Sequence, residues 1–219
     1  MTTRHSINGL VEILTWMESL DYDRNALLNK TNIDPARFTD PNGTLSSKEE
    51  LTFYQNLFDV SNDPSIYLKA GMTLNIGAYG LWGLALLSSP TVGKAIEFGL
   101  QYIAFSYTYN NIEFFSNKHT SSLIITSSQS LGTLEKPMVE RDISAIYMIF
   151  TALLQNTHPL NHIRVSWKST SYNESALYQQ LFQCPVTFYC SINEVLFDQS
   201  FIALELPKKN PLTMKLTQQ

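Results

Sequence analysis

The first hundred residues carry apolar side chains at helical spacing. Between residues 10 and 17, four apolar side chains recur at intervals of one to three residues, as on one face of an α-helix. Ser46 and Glu49 form a capping-box pattern, which predicts that a helix begins there. Asp63-Pro64 and Ser89-Pro90 mark two further helix starts, because Asp or Ser followed by Pro favours an N-cap and a first helical residue. The N-terminal half is therefore predicted to be helical.

The pattern changes near the middle of the chain. Ile112–Phe115 and Leu123–Thr126 are short apolar runs around a polar loop, which predicts a β-hairpin. Pro137 then opens the cleanest amphipathic helix, predicted to run to about Gln155. Alternating apolar residues at 163, 165 and 167 predict a strand. After it we expect a helix beginning at the capping box 171–174 and strands at 186–190 and 195–197.

These elements predict an α+β domain, with a helical N-terminal half packed with a small mixed sheet formed mainly by the C-terminal half. The domain is expected to span residues 1–206. Pro207–Pro211 is linker-like, and Leu212–Gln219 shows no convincing amphipathic face. We therefore interpret residues 207–219 as a linker toward a further domain.

Composition narrows the function classes. Of the 219 residues 16% are charged, against a usual figure of roughly 25%, and the net charge is −4. No basic stripe is present, which argues that this chain does not bind nucleic acid by itself. Two cysteines do not make a disulfide framework, and we find no apolar leader or membrane-spanning run. A cytoplasmic protein without membrane contact is the expectation.

Motifs for phosphate or DNA binding are weak. The glycines of Gly77–Gly83 follow a predicted helix, whereas a phosphate-binding loop follows a strand, and Ala95 stands after Lys94 where Ser or Thr would be needed. A tightly packed, sharply turning loop is the preferred interpretation. Asp23–Phe38 could pass for a helix-turn-helix, but Arg37 is the single basic residue of its second segment, so helical packing is favoured.

Motifs for metal binding, redox chemistry or catalysis are equally weak. His158 and His162 have the spacing of helical zinc ligands, but Pro159 opposes a helix there. Cys184 and Cys190 are not interpreted as a redox pair, because Cys190 is predicted to be a small core residue on the apolar side of a strand. No local catalytic signature is present. The sequence thus predicts no catalytic residue, no metal and no cofactor.

Two further features leave alternatives open. Glu140, Arg141 and Asp142 are predicted to lie in the first turn of the central helix, where the helix dipole favours carboxylates. In a second, more specific interpretation, Glu140 is buried and holds a backbone or ligand group. In a third interpretation it is a catalytic carboxylate. Aromatic residues form the second feature, and they could be core or could wall an apolar pocket: Tyr79, Trp82, Phe98, Tyr102 and Phe105.

Several motifs resemble the N-terminal sensor domain of AraC-type transcription regulators, in the branch concerned with ornithine, arginine and related metabolites. They are Asn62-Asp-Pro64, the run Gly77–Ala95 with its Gly-x-x-Gly and Ser-Ser-x-Thr-x-Gly-x-Ala patterns, Glu140, Tyr178–Phe188 and Asn193–Asp198. Val92 and Gln183 replace the family's Leu and Gly. The resemblance covers about residues 10 to 206.

The resemblance implies a non-enzymatic domain that binds a small effector of unknown identity, forms a homodimer and contacts DNA only through a separate helix-turn-helix domain. The pocket is expected near the Tyr79–Trp82 loop, the predicted helix Phe98–Phe105 and the predicted helix Glu140–Phe150. The candidate ligand-binding residues are Tyr79, Trp82, Phe98, Tyr102, Phe105, Glu140, Tyr147 and Phe150. A purely structural dimerisation module with a filled core, or an enzyme of unrecognised type, are the alternatives.

Overall fold

A computed structural model describes residues 4–127, 131–155, 160–169 and 172–217. The helices of these ranges are α1 (Asn8–Glu18), α2 (Arg24–Leu27), α3 (Ser47–Ser61), α4 (Ile66–Thr73), α5 (Gly80–Ser88), α6 (Val92–Gln101), α7 (Glu135–Leu153), α8 (Tyr172–Phe182) and α9 (Pro211–Leu216). The strands are β1 (Arg4–Ser6), β2 (Thr44–Ser46), β3 (Asn110–Ser116), β4 (Thr120–Ser127), β5 (Leu160–Arg164), β6 (Val186–Thr187) and β7 (Asn193–Asp198).

Five of the strands form one mixed sheet in the order β3-β4-β7-β5-β6. Neighbouring strands are antiparallel except β5 and β6, which are parallel. All five lie in the C-terminal half, so the predicted α+β class and placement of the sheet are confirmed. The antiparallel pair β1–β2 was not predicted, because three-residue strands of mostly polar residues show no alternation long enough to detect.

The hairpin and the first capping box are as predicted. Ile112 lies opposite Ile125 in the antiparallel β3–β4 pair, and the side chain of Asn117 accepts two backbone hydrogen bonds in the connecting turn. Ser46 caps α3, with its hydroxyl and the Glu49 carboxylate satisfying backbone amides reciprocally. Local side-chain hydrogen bonds therefore fix these boundaries.

Other boundaries differ from the sequence prediction. Thr91, rather than Ser89, caps α6, and this helix ends at Gln101, so Phe105 lies outside it in a 3-10 turn. Helix α7 begins at Glu135, before Pro137, because proline is tolerated within a first turn. Glu140 to Asp142 consequently lie beyond that turn, and the helix-dipole interpretation of them is wrong.

Strand and loop predictions also need correction. The predicted strand at 163–167 ends at Arg164, and the predicted strand at 186–190 is only Val186–Thr187, followed by Tyr189 at a positive φ of 61°. The segment Asp23–Phe38 is no helix-turn-helix: it holds the single turn α2 and a 3-10 turn, Pro35–Thr39. Ser171 of the predicted second capping box lies outside the described residues.

Helix α7 is the centre of the core. It crosses α4 at Gly71, where an added Cβ would meet the Cβ of Ser144 at 2.6 Å and clash with the carbonyl of Arg141. Its other faces pack against β4, α5 and α8. The three-residue run of charges in α7 is therefore surrounded by protein on every side, and Arg141 is completely buried.

The segment after Leu206 is more ordered than its composition predicts. Asn210 caps α9 by accepting from the amides of Leu212 and Thr213, and α9 packs against α5. The division between a domain at 1–206 and a linker at 207–219 stays a prediction. No single helix in the described ranges has both the length and the apolar character needed to span a membrane. Helix α4 and the segment Ile76–Ser88 meet the length and composition criteria only when they are taken together, and they are separated by a bend of 73°.

Candidate ligand-binding cavity

The glycine-rich segment shapes one wall of a cavity. Ile76–Tyr79 forms a 3-10 turn, and Gly80 then adopts a φ of +55°, which lets the chain bend sharply into α5. A Cβ on Gly83 would clash with the carbonyl oxygen of Ile76, so glycine is needed for this close approach as well. The predicted closely packed, sharply turning loop is confirmed. It places the ring centroids of Tyr79 and Trp82 5.1 Å apart.

The cavity lies among α5, α6, α7 and the β3–β4 hairpin and has a volume of about 80 Å³. Its wall is mostly aliphatic. The apolar lining includes Leu74, Leu86, Ile96, Leu100, Ile103, Ile112, Leu123, Ile146, Ile149 and Leu153. An apolar cavity with a few polar groups is the usual form of a small-molecule site.

Three of the eight candidate residues, Tyr79, Trp82 and Phe150, line this cavity. The position expected from the sequence, between the glycine segment and two helices, is the position of the cavity. Ligand binding by these three side chains stays a prediction.

On α6, the residues that face the cavity are not the aromatic ones. Phe98, Tyr102 and Phe105 do not line it; Ala95, Gly99 and their neighbours do. Phe98 and Tyr102 contact each other instead, at 4.6 Å between ring centroids, and Phe105 is 68% exposed. The reason is that α6 packs onto α5 through small residues at the point where Gly99 meets Trp82 and Leu86.

Glu140 and Tyr147 lie on a different face of α7, against α8, and do not line the cavity. Glu140 accepts a hydrogen bond of 2.6 Å from the Tyr178 hydroxyl, and its carboxylate lies 3.4 Å from Lys136 Nζ. Burial raises the pKa of Glu140 to about 7 despite these partners. Tyr147 packs edge-on against Phe182. Glu140 is buried, as predicted by the alternative in which it holds a backbone or ligand group. Its observed partners, however, are side chains rather than a backbone group.

The polar end of the cavity is formed by Arg141 and Asp142. Arg141 donates to Asp142 Oδ1 twice, from Nη2 at 2.6 Å and from Nε at 3.0 Å, and its other guanidinium bonds go to the Tyr54 hydroxyl and the Tyr107 carbonyl. The other carboxylate oxygen of Asp142 accepts from Thr108 Oγ1 and, at 2.7 Å, from Asn110 Nδ2. The sequence offered a signal for this site, since consecutive charges within an otherwise apolar helix predict buried, paired groups.

Trp82, one of the residues that line the cavity, carries a fully buried polar atom that has no partner among the described residues. Trp82 is 8% exposed, and its indole Nε1 makes no hydrogen bond to protein. A buried N–H without an acceptor is costly and calls for a structural explanation. In the Arg141–Asp142 pair, by contrast, each side-chain nitrogen and each carboxylate oxygen has at least one hydrogen-bond partner.

A second buried polar cluster ties the N-terminal strand to α3. His5 Nδ1 lies 2.7 Å from Glu50 Oε2, and the Tyr109 hydroxyl donates to the same oxygen at 2.6 Å. All three side chains are buried. The cluster lies away from the cavity wall and is a tether between β1, α3 and the start of β3.

The remaining candidate chemistry is not assembled in the described ranges. His158 lies outside them, and His162 Nε2 lies 2.7 Å from Thr187 Oγ1. No group of three metal-ligating side chains occurs within them. Cys184 is buried, and both cysteines are free thiols. Cys190 is partly exposed and lies after β6, so its interpretation as a core residue of a strand is wrong.

Comparison with known proteins identifies the domain. Residues 22–206 match the family described as the arabinose-binding domain of AraC transcription regulators, N-terminal. The chain is 24% identical over 196 residues to the ornithine utilization regulator of Pseudomonas aeruginosa, covering 90% of this chain and 57% of that protein. It is also 24% identical over 127 residues to an HTH-type transcriptional regulator of Mycobacterium tuberculosis, covering 58% of this chain and 37% of that protein.

A solved structure has the same fold. The transcriptional regulator CdpR from Pseudomonas aeruginosa superimposes with a TM-score of 0.66 and 18% identity, covering 93% of this chain and 61% of the CdpR chain. The chain thus spans about three fifths of CdpR and of the ornithine utilization regulator. On the family match across most of its length, the chain belongs to the N-terminal arabinose-binding domain family of AraC-type transcription regulators.

Proposed function

We propose that this chain is the effector-sensing domain of an AraC-type transcription regulator, and that a small molecule binds in the cavity among α5, α6 and α7. The observation that carries the proposal is the cavity itself, an apolar space with one polar end inside a domain of a regulator family. A purely structural module with a filled core would have no such space.

The cavity wall is joined to the C-terminal segment, which supports a route for the signal. The turn between α5 and α6 accepts two backbone hydrogen bonds from that segment, Leu206 N to Pro90 O and Asn210 N to Ser88 O. Helix α9 packs directly on α5. A ligand that prefers one arrangement of α5 and α6 would therefore bias the position of α9.

The proposal also includes a homodimer in the cytoplasm and contact with DNA through another domain, as the resemblance implies. Catalysis is not part of it. Glu140, the carboxylate weighed as catalytic, is closed off from solvent and bonded to Tyr178 and Lys136. The family is one of regulators rather than enzymes.

A thermal-shift screen of small metabolites tests the sensing function. Ala145 lines the cavity, and Ala145→Leu would fill it with three further carbon atoms. A true effector raises the melting temperature of the unmodified domain in a saturable way, because ligand at 100 times Kd stabilises the folded state by about 2.7 kcal/mol. It has no such effect on Ala145→Leu. Ala176→Leu is the matched control, because Ala176 is exposed on α8.

The control should respond to the effector like the unmodified domain. If no compound distinguishes the unmodified domain from the filled variant, the proposed sensing function is wrong and the structural-module alternative is favoured.

A further inference from the structure

We propose that two copies of this chain pair through strand β3, antiparallel and edge to edge, so that their five-stranded sheets join into one continuous sheet. This inference rests on the homodimer included in the proposed function and does not depend on the ligand cavity. The backbone of β3, the other edge of the sheet and the charges along β3 all support it.

Strand β3 has one edge that is not paired within the described sheet. It is the first strand of that sheet, and β4 is its neighbour there. In the hairpin turn, Asn117 N donates to Thr120 O. Hydrogen-bonded and non-hydrogen-bonded pairs alternate along an antiparallel hairpin, and the β3–β4 register runs on without a shift. The backbone groups of Ile112, Phe114 and Ser116 therefore point away from β4.

These outward groups are available to another chain. Within the described ranges, no hydrogen bond reaches the outward N–H or C=O of Ile112, Phe114 or Ser116. The edge is also open, because Phe114 is 38% exposed and Phe115 is 56% exposed. An exposed row of unpaired N–H and C=O groups is a template for pairing with a further strand.

The two edges of the main sheet differ in their protection. The opposite edge strand, β6, has only two residues, and Tyr189 follows at a φ of 61°. Strand β3 has seven residues, contains no proline, lysine or arginine, and carries Glu113 as its one charge. Short strands, bulges, proline and lysine are the usual means of preventing pairing at an edge. Strand β3 uses none of them, which is typical of an edge that is covered in the assembled protein.

One register satisfies all the spare backbone groups of β3. If Phe114 lies opposite Phe114 of a second copy, Ile112 of each copy lies opposite Ser116 of the other. The three pairs then exchange six hydrogen bonds, two in each pair. A register centred on Ile112 would need the backbone groups of Asn110, which are already bonded to Thr108 Oγ1. A second copy is therefore the occupant that matches this edge.

The charges fit the same register. With Phe114 at the centre, Glu113 lies opposite Phe115 of the second copy, so no like charges meet. A register centred on Glu113 would place two carboxylates opposite each other, which is destabilising. Registers centred on Glu113 or on Phe115 would also form only four of the six hydrogen bonds.

Sedimentation equilibrium of the unmodified chain tests the pairing. Two paired strands make a small interface, so we expect a dissociation constant in the micromolar range. Ser116→Pro removes an outward N–H and keeps the bonds to β4. It removes two hydrogen bonds from each dimer and should weaken the dimer at least about tenfold. Ser116→Ala is the matched control, because it removes the same hydroxyl but keeps the N–H, and it should behave like the unmodified chain.

Two charged variants at an exposed position test the register, and they decide the inference even if Ser116→Pro does not fold. Phe115→Lys places a positive charge opposite Glu113 of the second copy, and Phe115→Glu places a negative charge there. At low salt the Phe115→Lys dimer should be at least about fivefold tighter than the Phe115→Glu dimer. Adding Glu113→Gln to both variants should remove most of this difference.

Failure of this inference is distinguishable from failure of the homodimer. A dimer that is unchanged in Ser116→Pro, and equally stable in Phe115→Lys and Phe115→Glu, would overturn the pairing of β3 and leave the homodimer standing. Dissociation by Leu81→Arg, on the exposed face of α5, would then place the interface at that helix. A chain that is monomeric at every concentration would overturn both, whereas the sensing function is decided by the metabolite screen.

Discussion

Arg141 and Asp142 are neighbours in the chain, yet their side chains form a buried ion pair, with Arg141 Nη2 2.6 Å from Asp142 Oδ1. Adjacent residues of a helix do not ordinarily face each other. Here Tyr54, from α3, holds the guanidinium, and Thr108, from the segment before β3, holds the carboxylate. The pair is therefore fixed by elements far away in the sequence, and it closes one end of the cavity.

Breaking this ion pair should lower the free energy of unfolding. Asp142→Asn leaves the fully buried Arg141 without a counter-charge, and we expect a loss of about 3 kcal/mol or more in the free energy of unfolding, measured by urea denaturation. The double variant Arg141→Met/Asp142→Leu should recover part of the loss, because it buries no charge. Asp21→Asn, at an exposed position, should change stability by less than about 0.5 kcal/mol. A double variant no more stable than Asp142→Asn would contradict this account.

Glu140 should make stability depend on pH. Burial raises its pKa to about 7 in the folded domain, above the ordinary value of 4.5. The folded state therefore holds the proton more tightly than the unfolded state. The contribution is fully present below pH 4.5 and is lost as pH rises toward and through 7, by up to about 3 kcal/mol.

The measurement is the free energy of unfolding of Glu140→Gln and the unmodified domain between pH 4.5 and 8. The variant should lose the decline across this window, because its amide does not titrate. Glu135→Gln is the matched control on the exposed first turn of α7 and should keep the decline. Parallel curves for Glu140→Gln and the unmodified domain would show that Glu140 is not the titrating group.

Gly71 should not tolerate a methyl group. In a helix interior, alanine is usually more stabilising than glycine by about 1 kcal/mol. A Cβ at this position, however, would meet the Cβ of Ser144 at 2.6 Å and push α4 away from α7. We expect Gly71→Ala to lose about 1–3 kcal/mol in urea unfolding. Gly99→Ala, where the nearest atoms are side-chain carbons at 3.3 and 3.4 Å, should be far milder. Equal effects at the two glycines would disprove the close helix crossing.

The two thiols should differ in reactivity. Cys184 is buried, and this burial raises the pKa of its thiol to about 11, whereas Cys190 is partly exposed. At pH 8 a disulfide reagent such as DTNB should modify Cys190 at least tenfold faster than Cys184. Cys184→Ala and Cys190→Ala assign the two phases, and unfolding in urea should make their rates similar. A fast-reacting Cys184 in the folded domain would contradict its burial.

The helices around the cavity show which features could be predicted from the sequence and which could not. The periodicity and capping residues indicated α1, α3 and α7, because a helix and its capping hydrogen bonds depend on residues only a few positions apart. They did not indicate which face of α6 meets the cavity. Phe98 and Ala95 both lie on apolar positions of that helix, so the pattern alone does not choose between them.

The sequence by itself determined the α+β class, the placement of the main sheet and the family. Only the tertiary structure decided that Tyr79, Trp82 and Phe150 line the cavity while Glu140 turns toward α8. The physical reason is that a helical period is a local property. Close approach at Gly71 and the bonds that satisfy Arg141 join elements 34 to 87 residues apart, and those contacts set which side chains face the empty space.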